Sequence, residues 1–170
     1  MAAPDWIEQV VERWSVLEPE LDFEPYLVTG RVARIATHLA RHQEEVFGRY
    51  GLNRGEVGVL SALRIVGPPH RLSPTKLFKG LMLSSAGMTS RLDRLEERGL
   101  VKRSSDPSDR RGVLVDLTSE GRELVDAVVA ANTIEETELV AGLTSAEFSS
   151  LAALLQKLLS RLESEGDGAP

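Results

Sequence analysis

Cysteine is absent from the chain, which excludes disulfide frameworks, thiolate metal sites, a thiol nucleophile and a thiol redox sensor. Aromatic residues make up only 5% of the sequence, and no apolar run approaches the roughly 20 residues that a membrane helix needs. The first residues, Met1-Ala-Ala-Pro-Asp-Trp6, do not join a basic start to an apolar stretch, so no secretory leader is expected and the expected compartment is the cytoplasm. Glycine-rich phosphate loops, G-x-S-x-G and HExxH are missing as well, and no His is placed with an acidic partner, which argues against an enzyme and against a bound cofactor. What remains is a chain of 170 residues, 42% hydrophobic, long enough to bury one core and to carry an appended helical element.

The formal charge of −6 speaks against a polyanionic partner only if the total is read. Residues 71–111 hold ten Lys and Arg against five acids, a net +5, whereas the remainder of the chain stands at −11. A basic island in an acidic chain marks a local site for phosphates.

Helical periodicity and capping signals divide the chain. Ile7, Val10, Val11, Trp14 and Leu17 form one stripe behind Asp5 as N-cap, and an acidic linker follows between Glu18 and Pro25. A long helix runs from Tyr26 to Tyr50 and stops at Gly51. Asn53 with Glu56 predicts a capping box for a helix over 54–66, which Gly67-Pro68-Pro69 ends. Ser73-Pro74 starts a short helix over 74–80, and a tight connection leads to a second helix over 84–99: a helix-turn-helix. Two strands, 100–103 and 113–117, flank a polar tip over 104–112. Thr118-Ser119 caps a helix over 119–140, and Thr144 with Glu147 caps a last one. That last helix repeats apolar residues at Phe148, Leu151, Leu155, Leu158 and Leu162, a narrow seam suited to another helix, plausibly from a second copy. The fold class expected is mainly α, with a winged helix-turn-helix over 52–118 and dimerisation helices over 23–51 and 119–163. An extra N-terminal helix and linker occupy 1–22, and 164–170 form a disordered tail.

On the helix 84–99, at about 100° per residue, Ser85, Met88, Leu92, Leu95 and Gly99 fall on an inward face. Ala86, Gly87, Ser90, Arg94 and Glu97 lie opposite, with Thr89 and Arg91 on the flanks. Small residues in the first turns let such a helix enter a major groove, where hydroxyl and guanidinium groups meet base edges and phosphates. The free N–H groups near Ser84 suit a phosphate. Arg110 and Arg111, on the hairpin tip, suit a narrow minor groove, with Asp106 and Asp109 close enough to orient a guanidinium.

Three stretches in this order and spacing carry a family resemblance. They are Ser90-Arg-Leu-Asp-Arg-Leu-Glu-Glu-Arg-Gly-Leu-Val-Lys-Arg103, Asp106-Pro-Ser-Asp-Arg-Arg-Gly112 and Leu117-Thr-Ser-Glu-Gly-Arg-Glu-Leu124. Over about 23–163 the chain resembles the MarR family of winged helix-turn-helix transcriptional regulators. The resemblance implies a homodimer whose first and last helices interlock, holding a pseudo-palindromic DNA operator, most often as a repressor. It implies DNA contacts from Ser84, Ser85, Ala86, Gly87, Thr89, Ser90, Arg91, Arg94, Arg110 and Arg111. A small anionic or aromatic effector, bound between the dimerisation helices and the DNA-reading lobe, would lower operator affinity.

The extra helix with Trp14 further resembles the urate-responsive subgroup, whose anion pocket uses a Trp, an Asp and two Arg. Matched by motif, this chain keeps Trp14, Arg91 and Arg103, but Gly58 stands where the Asp is expected, so urate itself does not follow. Trp14 is alternatively plain packing of the extra helix, and Arg91 and Arg103 alternatively a phosphate contact and a wing-base ion pair. His38 and His42 have chelating spacing, yet His70 is the only other His, so no metal site is expected. The competing class is a non-catalytic helical interaction module or a ligand-binding protein without DNA binding, for which neither the basic island nor an Arg-tipped hairpin is needed.

Overall fold

The computed structural model describes residues 3–81, 85–107 and 109–166, with side chains left out at 78–81, 85–86, 110–111 and 165–166. The elements run α1 Trp6–Leu17, α2 Tyr26–Gly48, α3 Arg54–Ile65, β1 Arg71–Leu72, α4 Pro74–Leu81, α5 Ser85–Glu97, β2 Val101–Asp106, β3 Asp109–Leu117, α6 Ser119–Val140 and α7 Ser145–Gly166. Two compact units result, one through Val128 and one from Val129.

The first unit is a winged helix-turn-helix with two helices before it. Local signals set its boundaries. Asp5 caps α1 by accepting from the Glu8 amide at 2.9 Å. Asn53 and Glu56 close the expected capping box, each side chain accepting from the other's backbone N–H (2.9 and 3.0 Å). Gly51 and Gly99 end α2 and α5 at φ +67° and +69°, where a side chain would be strained. The core beneath the helix-turn-helix is aliphatic: Leu60, Leu63, Leu77, Met88, Leu92, Leu95 and Val115 are all buried. Met88, Leu92 and Leu95 take the inward places expected of α5, whereas Gly99, expected beside them, is exposed, because α5 ends at Glu97 and the chain turns at Gly99 with φ +69°.

The wing corrects the expectation of a long polar tip over 104–112. β2 and β3 pair antiparallel from Val101↔Leu117 to Ser105↔Val113, and Asp106 then pairs with Asp109, so the strands continue into the expected tip. Arg110, Arg111 and Gly112 fall in the register shift opposite the Ser105–Asp106 step. Gly112 is required there, because a Cβ on it would lie 2.8 Å from the Asp106 Cβ and 3.1 Å from the Asp109 carbonyl. A third strand, β1, was not expected. Its two residues pair with the other edge of β3, Arg71 opposite Asp116 and Leu72 opposite Val115, giving the sheet order β1-β3-β2. The buried Asp116 accepts from Arg71 Nε and from Ser104 Oγ at 2.6 Å, so its charge is compensated from both neighbouring strands.

At the wing base the chain turns into α6 through a close approach. Thr118 donates from its amide to the Leu100 carbonyl at 3.2 Å and from Oγ1 to the Gly99 carbonyl at 2.8 Å. Its Oγ1 also accepts from the Gly121 amide at 3.0 Å, capping α6.

The second unit comprises the end of α6 and α7, the latter capped as expected by Thr144 and Glu147. Here α7 runs through Gly166, so residues 164–166 are helical rather than part of a tail; 167–170 lie outside the described residues. No described residue of this unit is buried, and Phe148, Leu151, Leu155, Leu158 and Leu162 are all exposed. No single described helix is long and apolar enough to cross a membrane.

Candidate nucleic-acid interface and adjoining cavity

The outward face of α5 carries Thr89, Ser90 and Arg94, all exposed, while Gly87 and Arg91 are half-buried. Arg94 is held on its inner side: Nε donates to Glu56 Oε1 at 2.8 Å and Nη1 to Ser90 Oγ at 2.9 Å. The Arg94 side chain is 49% exposed and its Nη2 has no partner among the described residues, leaving donors for a further acceptor. Ser84 lies outside the described residues; Ser85 and Ala86 belong to the first turn of α5, and Arg110 and Arg111 to β3, by backbone alone.

Several cations of the basic island are spent on holding the lobe together. Arg103, at the wing base, donates from Nη2 to Asp93 Oδ1 at 2.6 Å and from Nη1 to Glu96 Oε2 at 2.5 Å, and its amide donates to Glu96 Oε1 at 2.8 Å. These bonds to two carboxylates on α5 raise the Arg103 guanidinium above its usual range against the opposing effect of partial burial. The wing is thereby tied to α5, and the sequence alternative of a wing-base ion pair is the one seen. Arg98 donates to the Gly51 and Tyr50 carbonyls at 2.6 and 3.4 Å, satisfying the end of α2. The Lys76 and Lys102 side chains have no partner among the described residues.

Arg91 turns the other way, toward a cavity of about 590 Å³ lined by Gln43, Glu44, Phe47, Asn53, Arg54, Gly55, Val57, Gly58 and Arg91. Its Nε is buried and has no hydrogen-bond partner among the described residues. Gly55 makes this placement possible, since a Cβ there would sit 2.0 Å from Arg91 Nε. Gly58, which replaces the Asp of the resembling subgroup, lies on the same wall. The arrangement offers one cation, a second at Arg54 whose Nε is engaged by Gln43 at 2.9 Å, and an aromatic ring at Phe47. A donor-rich cavity with an uncompensated buried Nε suits a small anion with a flat apolar body.

The three residues matched to the subgroup pocket are not brought together. Trp14 lines a separate apolar groove of about 840 Å³ between α1 and α2, with Trp6, Val10, Leu21, Phe23 and Tyr26. It stacks on Phe23 at 6.0 Å and remains 48% exposed. The extra helix is fastened by Asp5 to Arg31 at 2.8 Å, by Arg34 over the Trp6 ring at 5.1 Å, and by Ile7 packed on Gly30. Arg103 is engaged at the wing base, away from both linings. His38 approaches Arg41, its Nδ1 3.3 Å from Nη2, and no group of three metal-ligating side chains occurs among the described residues. Sequence reasoning read Glu56 only as a cap and did not foresee Gln43, Phe47 and Gly55 as cavity walls; the small residues Gly55 and Gly58, about one helical turn apart just after Asn53, were the available signal.

Comparison with known proteins follows the same outline. The sequence profile described as MarR family matches residues 50–112. The regulator PecS of Dickeya dadantii is 35% identical over 152 residues, covering 89% of this chain and 92% of PecS. Sco3205 of Streptomyces coelicolor, a MarR family transcriptional regulator solved in complex with DNA, superimposes with a TM-score of 0.74 at 28% identity, over 84% of this chain and 93% of its own. BpsR of Bordetella bronchiseptica, whose structure concerns regulation of DNA binding by 6-hydroxynicotinic acid, gives a TM-score of 0.67 at 30% identity, over 77% of this chain and 91% of its own. With a winged helix-turn-helix of this topology and a relative this similar along nearly the whole of both sequences, the chain belongs to the MarR family of transcriptional regulators.

Proposed function

We propose that the chain acts as a homodimeric, sequence-specific DNA-binding repressor whose hold on its operator is weakened by a small planar anion. DNA would be met by Ser84, Ser85, Ala86, Gly87, Thr89, Ser90 and Arg94 on α5 and by Arg110 and Arg111 on the wing. The DNA complex of Sco3205 supports the same use of a like fold. The exposed Leu seam of α7 supports a second copy, because burying each such side chain contributes about 1.5–3 kcal/mol and nothing within its unit does so.

The observation that carries the ligand half is Arg91: a buried, unpartnered Nε at the wall of a cavity directly behind the DNA-reading helix. It favours an anion there over a DNA contact by this residue, and the regulation of BpsR by an aromatic acid supports the class. A ligand charge placed against Arg91 would act on α5 and on the first turn of α3 together, shifting the dimer toward a spacing that fits DNA less well.

Fluorescence anisotropy on a duplex that the purified protein selects from a random pool tests this reading. Affinity should fall steeply with salt, and hydroxylated aromatic acids should lower it for the wild type but not for Arg91→Ala. A monomer in solution, or no duplex binding at low salt, refutes the DNA reading. Equal ligand response in Arg91→Ala refutes the assignment of the cavity.

A further inference from the structure

Glu56 has a second task beyond capping. A capping box needs one acceptor oxygen from its third helical residue, and Gln serves as well as Glu. Here Oε2 alone closes the box, accepting from the Asn53 amide at 3.0 Å. The other oxygen, on a residue only 5% exposed, accepts from Arg94 Nε at 2.8 Å, across 38 residues of sequence. A negative charge is not needed for the cap, and burying one is costly unless a cation answers it. The charge is explained by Arg94.

The consequence falls on the guanidinium. Of its five N–H donors, the one on Nε is used by Glu56 and one on Nη1 by Ser90. The plane of the fork is then fixed by two struts on different sides. Three hydrogens remain, two on Nη2 and one on Nη1, enough for a two-pronged contact with a base edge or a phosphate. Without the struts, a half-exposed Arg explores many rotamers and loses that freedom on binding.

We infer that Glu56, without touching DNA, is a positioning residue for Arg94: it holds the guanidinium in its reading orientation and so sets how sharply the operator is told from other duplexes. This rests on the proposed role of Arg94 as a DNA contact.

The experiment uses the full-length protein, a duplex selected from a random pool by the wild type, and a scrambled duplex of equal length. The readout is the ratio of the two affinities, alongside a thermal melt of each variant. Arg94→Ala should lower the ratio roughly 10- to 100-fold, the worth of a bidentate base contact. Glu56→Gln keeps the cap acceptor and should lower the ratio about 2- to 10-fold, as for loss of one pre-ordered side chain, with scrambled-duplex affinity unchanged. The double variant should match Arg94→Ala alone, because Glu56 acts only through that residue. Asp5→Ala, which removes the cap of α1, should lower the melting temperature without moving the ratio. An unchanged ratio in Glu56→Gln, or additive losses in the double variant, overturns the inference while leaving Arg94 as a reader. An unchanged ratio in Arg94→Ala overturns the Arg94 role, and this inference with it. A measurement on the unmutated protein stands apart from any folding defect: the Arg94 Nε–H should exchange with solvent more slowly than that of an Arg without an ion-pair partner, and equal rates overturn the proposed hold.

Discussion

Gly121→Ala and Gly48→Ala make the same chemical change with opposite expected signs. At Gly121 the added methyl would lie 2.0 Å from the Leu100 carbonyl oxygen, 3.0 Å from its carbon and 2.9 Å from Leu117 Cδ1. Two of these three atoms are backbone, so no rotamer change relieves the clash. The first turn of α6 must move away from the start of β2 by more than an ångström. Overpacking of this kind costs about 1–3 kcal/mol. The same movement stretches the Thr118 bonds to the Gly99 and Leu100 carbonyls, each worth about 1 kcal/mol. Against this, replacing a helical Gly by Ala contributes about 1 kcal/mol. The net expectation is a loss of about 1–4 kcal/mol, large beside a total stability of about 5–15 kcal/mol. Gly48, in the last turn of α2, meets nothing within 4 Å, and there the helix gain of up to about 1 kcal/mol stands alone. Urea unfolding followed by circular dichroism, at one fixed protein concentration, measures both. A Gly121→Ala protein as stable as the wild type would refute the account of the wing-to-α6 junction.

Trp14→Ala decides between the two sequence readings of that residue. From its place in the α1–α2 groove, apart from the Arg91 cavity, it should lower thermal stability and leave operator affinity and ligand response unchanged; a lost ligand response with unchanged melting would reinstate it as a pocket residue. Acid should loosen two surface ties. The Asp5 and Asp126 carboxyls are held below 3.8, chiefly by hydrogen bonds from Arg31 and Arg64 respectively. A carboxyl with a lower pKa folded than unfolded stabilises the fold above the unfolded value, and that contribution is lost as pH falls through the folded one. Both are exposed, so the effect is small and shrinks with salt. Melting temperature plotted between about pH 2 and pH 5 should therefore fall less steeply for Asp126→Asn than for the wild type, and parallel curves would count against the Arg64 tie.

What was legible in the sequence was local. Asp5, the Asn53 and Glu56 pair, and Thr144 with Glu147 satisfy helix ends within three residues of themselves, so their spacing is enough to place α1, α3 and α7. Met88, Leu92 and Leu95 on the inward face of α5 followed from its period, which fails at Gly99 because the helix ends before it. What escaped depends on partners far along the chain. β1 is two residues long and exists because β3 offers it an edge, which no window around Arg71 reveals. The wing strands extend past Ser104 because Gly112 lets the register shift close. Arg91, Arg94 and Arg103 look alike in a count of basic residues. Glu56, Asp93 and Glu96 separate them, fixing one guanidinium outward and one at the wing base and leaving the third to the cavity.

The Leu row of α7 carries a consequence for the life of the polypeptide. A rod that shields none of its oily residues within its own unit gains that shelter by meeting a second copy, and how much of it stays folded then depends on how many copies are nearby. Dilution then becomes a denaturant, and a cell making little of this regulator would have a smaller share of it in working form.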